Sequence, residues 1–287
     1  MTKIILTIGG SDPFSGGGIQ TDLKTFENHQ VFGLSTLTCL ATAPKNHFQI
    51  HDLETSLVKE QLASIPAGSL DGIKFGLIHS EESMLQIATF LKKHAGLPVV
   101  LDPVLAFKET TSVYEKRYMQ LLIEKLFPFA TIITPNLKEA ELLIGRKLTT
   151  VEEVQQAAEE LNSLGAATVV IKGGNRWLGQ EARDFFYDGQ QHIQLVKEKV
   201  MAHTIDGAGC SFASAIGANL VKGYPLIEAV DLAKTYVHEA IVSGVQLNAA
   251  FGSVWHEGLL AGGVADNDKK KKKKKKQKQK QKNKLLK

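Results

Sequence analysis

Cysteine is scarce in this chain: only Cys39 and Cys210 occur in 287 residues. Two cysteines cannot build a disulfide framework, and their separation does not match a zinc site. Long apolar runs are missing too. No stretch approaches the ~20 residues that a membrane-spanning helix needs. Met1-Thr2-Lys3 leads straight into the short apolar run 4–8, without the pattern of a secretory leader. The expectation is a cytoplasmic protein. Acidic residues are absent from the C-terminal segment 269–287, which holds 13 lysines. Without that segment 21 basic residues face 30 acidic ones, so the formal charge of +4 conceals an acidic body near −9. Such a body does not resemble a nucleic-acid enzyme, whose basic surface would lie on the fold itself. The lysines could hold polyanions non-specifically, but residues 259–287 read as a disordered or appended tail. Residues 1–258 are expected to form a single domain.

What is present is ordinary for a soluble protein with a large core: 43% apolar and 22% charged residues. Apolar runs at 3–8, 35–42, 72–77, 98–102, 131–134 and 168–171 read as buried strands. Between them, periodic segments at 19–28, 56–64, 81–94, 114–126, 137–143 and 151–164 read as helices, with a further long helix at 226–244. Residues 184–187 followed by Asp188-Gly189 read as a strand and hairpin turn. Strands alternating with helices predict a three-layer α/β/α fold around a mostly parallel central sheet with right-handed crossovers.

The residues that could carry chemistry gather at strand ends. His203-Thr204-Ile205-Asp206-Gly207-Ala208-Gly209-Cys210-Ser211 reads as a glycine turn entering a helix of small residues. Gly207 and Gly209 let backbone N–H groups converge, and the helix N-terminus adds partial positive charge, so the turn suits a phosphate. The same field would favour the thiolate of Cys210. A plain connection fits this pattern as well. The first strand ends in a glycine-rich loop, 9–18, that is too long for a dinucleotide fingerprint and contains Pro13. Its alternative use is close approach to a small flat ligand, with Asp12 and Asp22 as hydrogen-bond acceptors. Asp22 could equally be a solvated first-turn carboxylate. Asp102 closes a buried strand, where open α/β sheets hold ligands. Asn136 and Glu139 share one helix face, or form a capping box. Lys172-Gly173-Gly174 ends another strand, and 105–114, with Lys108, Thr110 and Thr111, is a candidate flap. The convergence of these clusters on one sheet edge argues for an enzyme site.

Several of these stretches form long motifs in a fixed order. They are Gly10-Ser11-Asp12 with 15–26, Leu101-Asp102-Pro103-Val104, 133–140, Lys172-Gly173-Gly174 and Gly207-Ala208-Gly209-Cys210-Ser211-Phe212. Together they resemble the ribokinase-like superfamily, in its branch of hydroxymethylpyrimidine kinases and pyridoxal kinases, over about residues 3–256. The resemblance implies transfer of the γ-phosphoryl group of ATP, with Mg²⁺, to a hydroxymethyl group on a pyridine or pyrimidine ring. By that resemblance Gly207, Ala208, Gly209 and Cys210 form the catalytic turn. Asn136, Lys172, Gly174, Thr204 and Asp206 lie along the nucleotide. Gly10, Asp12, Gly17, Asp22, Ala43, His47 and Val104 surround the ring, and Glu139 with Asp102 organises the metal. A homodimer is the family expectation. Cys210 would be the proton acceptor, or a trap for an aldehyde substrate; a helix-capping role is the alternative.

Departures from the family pattern bear on the substrate. Ala43-Pro44-Lys45 stands where pyrimidine kinases of the branch read Gln-Asn-Thr, and Leu77 stands for Met. Asn46-His47 and Leu247-Asn248 resemble pyridoxal-active members, although Phe107 replaces a flap cysteine that some of those carry. Ile205-Asp206 replaces the usual Thr-His. The expectation is a pyridoxal (pyridoxine, pyridoxamine) kinase. Hydroxymethylpyrimidine or hydroxymethylpyrimidine-phosphate kinase is the alternative, and a non-catalytic vitamin-binding protein the third reading.

Overall fold

The core strands are mostly apolar, and alternate side chains enter opposite faces of one sheet. Val99, Leu101, Ile133, Val169 and Ile171 pack into one core, while Val100, Ile132 and Val170 pack into the other. The computed structural model describes residues 1–44, 48–66, 68–105, 116–248 and 251–257. His47 and all of the expected flap beyond Leu105 lie outside these residues.

The strands are β1 (Ile4–Ser11), β2 (Phe32–Thr42), β3 (Gln49–Asp52), β4 (Gly72–Phe75), β5 (Val99–Leu101), β6 (Ile132–Ile133), β7 (Val169–Lys172), β8 (Glu181–Tyr187) and β9 (His192–Glu198). They form one sheet in the order β3-β2-β1-β4-β5-β6-β7-β8-β9. The six strands from β2 to β7 in that order run parallel, and the pairings β3–β2, β7–β8 and β8–β9 at the two edges are antiparallel. The sequence pattern assigns no element to 49–52, and the mostly polar, exposed residues of this strand suit an edge. β1 also runs on through Gly9 and Gly10, with a register shift against β2 between Gly9 and Ser11.

Helices cover both faces. Helices α2 (Thr55–Ala63), α3 (Glu81–Lys93), α4 (Lys116–Lys125), α5 (Leu137–Ile144) and α6 (Val151–Ser163) supply residues to the first core. Helices α1 (Gly18–Asn28), α7 (Ala208–Val221) and α8 (Leu226–Val242) cover the second face. Capping residues are local: Ser80 opens α3, and Thr150 with Glu153 makes a capping box on α6. α7 is buried almost all round because it runs between the sheet and its neighbours α1 and α8. That is why it is built from Ala, Ser and Gly: a Cβ on Gly217 would lie 2.9 Å from Ile5 Cδ1. No helix among the described residues is long and apolar enough to cross a membrane.

A short antiparallel pair, β10 (Val245–Gln246) and β11 (Gly252–Ser253), returns the chain to α7. There the backbone carbonyl of His256 accepts from Asn28 Nδ2 and, at 3.1 Å, from the Tyr236 hydroxyl; its Nε2 lies 3.1 Å from Ser211 Oγ. Burial, with a smaller push from Lys24, lowers the His256 pKa to about 4. The imidazole is therefore neutral in the folded protein. Above pH ~6.5 it is neutral in the unfolded chain too and contributes nothing to the pH dependence. As pH falls from ~6.5 to ~4 the unfolded state gains a proton that the native state refuses, so about 3 kcal/mol of stability is lost. Urea titrations of wild type and His256→Gln should diverge across that window, with the variant losing less stability. Parallel curves would refute the assignment.

Candidate active site

The N-terminus of α7 forms the wall between two cavities. On one side lies a cleft of about 280 Å³ lined by Asn136, Lys172, Gly174, Ala208 and Gly209 among others. On the other is a smaller cavity of about 30 Å³, bordered by Gly10, Asp12, Cys39, Val104 and Cys210. The turn before the helix is sharp: Gly207 has φ 85°, a left-handed conformation that a side chain would strain. The opening glycine loop meets it directly. A Cβ on Gly17 would stand 3.7 Å from Cys210 Sγ, and one on Gly207 3.3 Å from Thr21 Oγ1. Gly18, at φ 66°, packs on the Gly10 carbonyl so closely that no Cβ would fit. The two glycine stretches, nearly 200 residues apart in sequence, thus meet at the start of α7.

Asp22 corrects an expectation. Its carboxylate is fully buried and accepts four hydrogen bonds: from Lys74 Nζ at 2.9 and 2.8 Å, from Thr7 Oγ1 at 2.6 Å and from Ser214 Oγ at 2.6 Å. A carboxylate offers about four lone-pair sites, so none is left for a ring. Asp22 is the counter-ion of Lys74, and both border the same small cavity. Burial alone would lower the Lys74 pKa, but Asp22 and the nearby Cys210 and Asp102 raise it, so the ammonium stays charged. Sequence reading missed Lys74, although a lone lysine inside the apolar strand Gly72–Phe75 was the available signal.

On the side of the larger cleft, Lys172 Nζ bonds Asp102 Oδ1 at 2.6 Å, and Thr134 Oγ1 reaches the same oxygen at 3.1 Å. Burial would raise the Asp102 carboxyl, yet Lys172, Lys74 and Thr134 together hold it below the ordinary carboxylate range. Asn136 caps α5 by accepting from the Glu139 N–H at 3.1 Å, while Glu139 Oε2 accepts from the Asn136 N–H at 2.7 Å. The capping box read as an alternative is therefore formed. Arg176, from the short turn Gly174–Arg176, donates to Asn136 Oδ1 at 2.8 Å and is a further basic group that sequence reading did not single out. Glu139 is buried, and burial raises its pKa against the pull of Lys172. Among the described residues no group of three His, Cys, Asp or Glu side chains gathers in metal-binding array. Two buried carboxylates nevertheless fit Mg²⁺, which is held by one or two such groups together with waters and substrate phosphates.

Four other expectations change. Cys210 is the third residue of α7 and half-buried, and burial pushes its thiol up to about 12 despite the Lys74 charge and the Gly18 N–H. The resting sulfur is a thiol rather than the thiolate expected of a helix start. Thr204 spends its hydroxyl on the Ile241 carbonyl at 3.2 Å, and its neighbour Ile205 lines the larger cleft instead. Asp206 is held through its backbone, in a bridge to Ser253, and does not line that cleft. Ala41, rather than Ala43, borders the small cavity.

Removing one partner of a buried ion pair leaves an uncompensated charge, at roughly 3–5 kcal/mol. Lys74→Met should accordingly lower unfolding free energy by that amount in urea titrations, although the side chains are similar in length. A loss below about 1 kcal/mol, the size of an exposed pair, would show that Asp22 does not need its lysine.

Residues 12–255 match the phosphomethylpyrimidine kinase family. A pyridoxine kinase of Bacillus subtilis (strain 168) is 38% identical over 259 residues, covering 88% of this chain and 96% of that protein. A hydroxymethylpyrimidine/phosphomethylpyrimidine kinase of Rhizobium meliloti (strain 1021) is 36% identical over 255 residues, covering 88% and 95%. Among solved structures, a pyridoxal kinase from Staphylococcus aureus in complex with AMP-PCP and pyridoxal matches with a TM-score of 0.83 at 34% identity, over 90% of this chain and 94% of that one. With likenesses of this extent in sequence and in three dimensions, the chain belongs to the phosphomethylpyrimidine kinase family and is a vitamin kinase of ribokinase-like fold.

Proposed function

We propose that this chain transfers the γ-phosphoryl group of ATP to the hydroxymethyl group of pyridoxal, pyridoxine or pyridoxamine. One observation carries the reading: consecutive residues at the start of α7 face different cavities, Ala208 and Gly209 the larger and Cys210 the smaller. A nucleotide in the first and a ring alcohol in the second would meet across the helix N-terminus. That is the in-line arrangement phosphoryl transfer needs, and positioning supplies most of its catalysis. The Staphylococcus aureus relative bound to AMP-PCP and pyridoxal supports both occupants.

The roles follow from charge. Backbone N–H groups of the Gly207–Cys210 turn and the α7 dipole stabilise the phosphoryl oxygens as charge gathers on them. A Cβ on Gly209 would lie 3.3 Å from Lys172 Nζ, so the ammonium is next to the same point and steadies the polyphosphate. Asp102 and Glu139 would hold Mg²⁺, which neutralises phosphate charge when bound. The acceptor's proton leaves as its oxygen bonds phosphorus, and Cys210 stands beside it. With a thiol at about 12, the thiolate fraction rises about tenfold for each unit of pH below that value.

The preference for pyridoxal over the pyrimidine rests on the resemblance, in which Ala43-Pro44-Lys45 stands where pyrimidine kinases of the branch read Gln-Asn-Thr, although Ala43 itself does not border the smaller cavity. The matched family and the Rhizobium meliloti relative favour the second reading, hydroxymethylpyrimidine kinase. A coupled assay of ADP release with both rings separates them: kcat/KM should be higher for a pyridoxal vitamer, and the reverse order would overturn the choice. Turnover of neither ring would leave the binding-protein reading. Cys210→Ala should lower kcat by about 10²-fold or more while nucleotide affinity holds, the size of a lost acid–base group. It should also abolish the alkaline rise in kcat. Unchanged turnover would remove the thiol from the chemistry.

A further inference from the structure

Lys234 is the odd residue of α8. It is the one charged residue among the buried positions of this helix, which include Ala233 and Tyr236. Its Nζ lies 2.6 Å from Asp184 Oδ2. Asp184, also buried, is on β8 directly opposite Lys172 of β7. Its other oxygen, Oδ1, accepts at 3.1 Å from the Gly173 N–H, which it shares with the Arg183 carbonyl at 2.9 Å. Both side chains line the larger cleft beside Lys172, Gly173 and Gly174. A carboxylate thus secures the Lys172-Gly173-Gly174 turn from behind, while facing the cavity assigned to a polyphosphate. Left bare, it would repel that ligand in surroundings where solvent screens poorly.

We propose that Lys234 is a positioning residue for nucleotide binding, acting through Asp184: it cancels the charge of the carboxylate that fixes the Gly173 turn, so that the cleft accepts a nucleoside polyphosphate. This rests on the kinase reading. The lysine need not touch the nucleotide; its work is to keep the carboxylate both anchored and electrically silent. A pair serving stability alone would have no reason to affect one substrate more than the other.

The test reads ADP binding by calorimetry, and KM for ATP and for the ring acceptor, in wild type, Lys234→Met and the double variant Asp184→Asn/Lys234→Met. Lys234→Met should weaken ADP and raise the ATP KM by at least about tenfold, from the uncompensated carboxylate. The acceptor KM should move by less than about twofold, which a general loss of structure would not allow. In the double variant the charge is gone while the Asn carbonyl can still receive the Gly173 N–H, so ADP affinity should return to within about threefold of wild type. Wild-type affinity in Lys234→Met would overturn the proposal. So would a double variant no better than the single, since Lys234 would then be binding the nucleotide itself. If Lys234→Met does not fold, the double variant decides: ADP affinity near wild type supports the proposal, and a loss beyond about tenfold overturns it. Absence of ADP binding in the wild-type chain would remove the kinase reading, and this inference would fall with it.

Discussion

Three lysine–aspartate pairs surround the first turn of α7: Lys74 with Asp22, Lys172 with Asp102, and Lys234 with Asp184. Each aspartate is buried, and each lysine comes from a different element, β4, β7 or α8. Charges this deep are tolerated only when paired and hydrogen-bonded, and an apolar substitute would often be as stable. Their arrangement therefore makes more sense as electrostatic preparation than as glue. A site that receives a polyanion needs cations held in place without a net field that would collapse the empty cleft. Neutral pairs satisfy both demands, because each lysine is oriented by its carboxylate before any ligand arrives.

The pairs also explain why some of the site was legible in the sequence and some was not. The turn at 207–209 and the cluster of Asp102, Asn136, Glu139 and Lys172 announced themselves by residue type at strand ends. There the chain must leave the sheet, and polar side chains have no place in the core. Asp22 was picked out correctly as a residue but given the wrong partner. Its contacts lie 15, 52 and 192 positions away, and no local pattern encodes them. Asp184 and Lys234 are 50 positions apart and join only when α8 packs across β8 and β9. For Cys210 the residue pattern shows a place near a helix start but not how deeply neighbouring elements bury it, and burial decides its charge. The fold was more legible, since buried strands and amphipathic helices follow from periodicity alone. The edge strand at 49–52 was missed because edges are allowed to be polar.

Moving Asp22 from ligand to counter-ion changes the picture of the smaller cavity. Its borders combine glycine backbone and apolar side chains (Ala41, Leu77 and Val104) with Cys39 and Cys210 and with the polar Ser11, Asp12, Asp22 and Lys74. Burial pushes the Cys39 thiol up to about 11, so both sulfurs are neutral at rest. A ring entering such a cavity would meet glycine backbone and apolar side chains beside the paired Lys74 and Asp22. One added or missing methylene discriminates by only about 1–3 kcal/mol. This matches the kinship with kinases of two different vitamins at nearly equal identity, 38% and 36%. A cavity of this chemistry can pass between related flat rings through few substitutions.

Glu139 is the acid that this balance leaves over. Asp22, Asp102 and Asp184 each hold a lysine, but Lys172 is bonded to Asp102 and reaches Glu139 only through space. Burial consequently favours the neutral form of Glu139, whose contacts are with its own helix cap. A buried carboxyl that must stay protonated or find positive charge is what a divalent cation meets most readily, because the ion supplies the charge that the protein withholds. The capping box would therefore not compete with a metal role for this residue. The cap fixes the carboxyl's direction, and the missing lysine leaves it a charge to acquire.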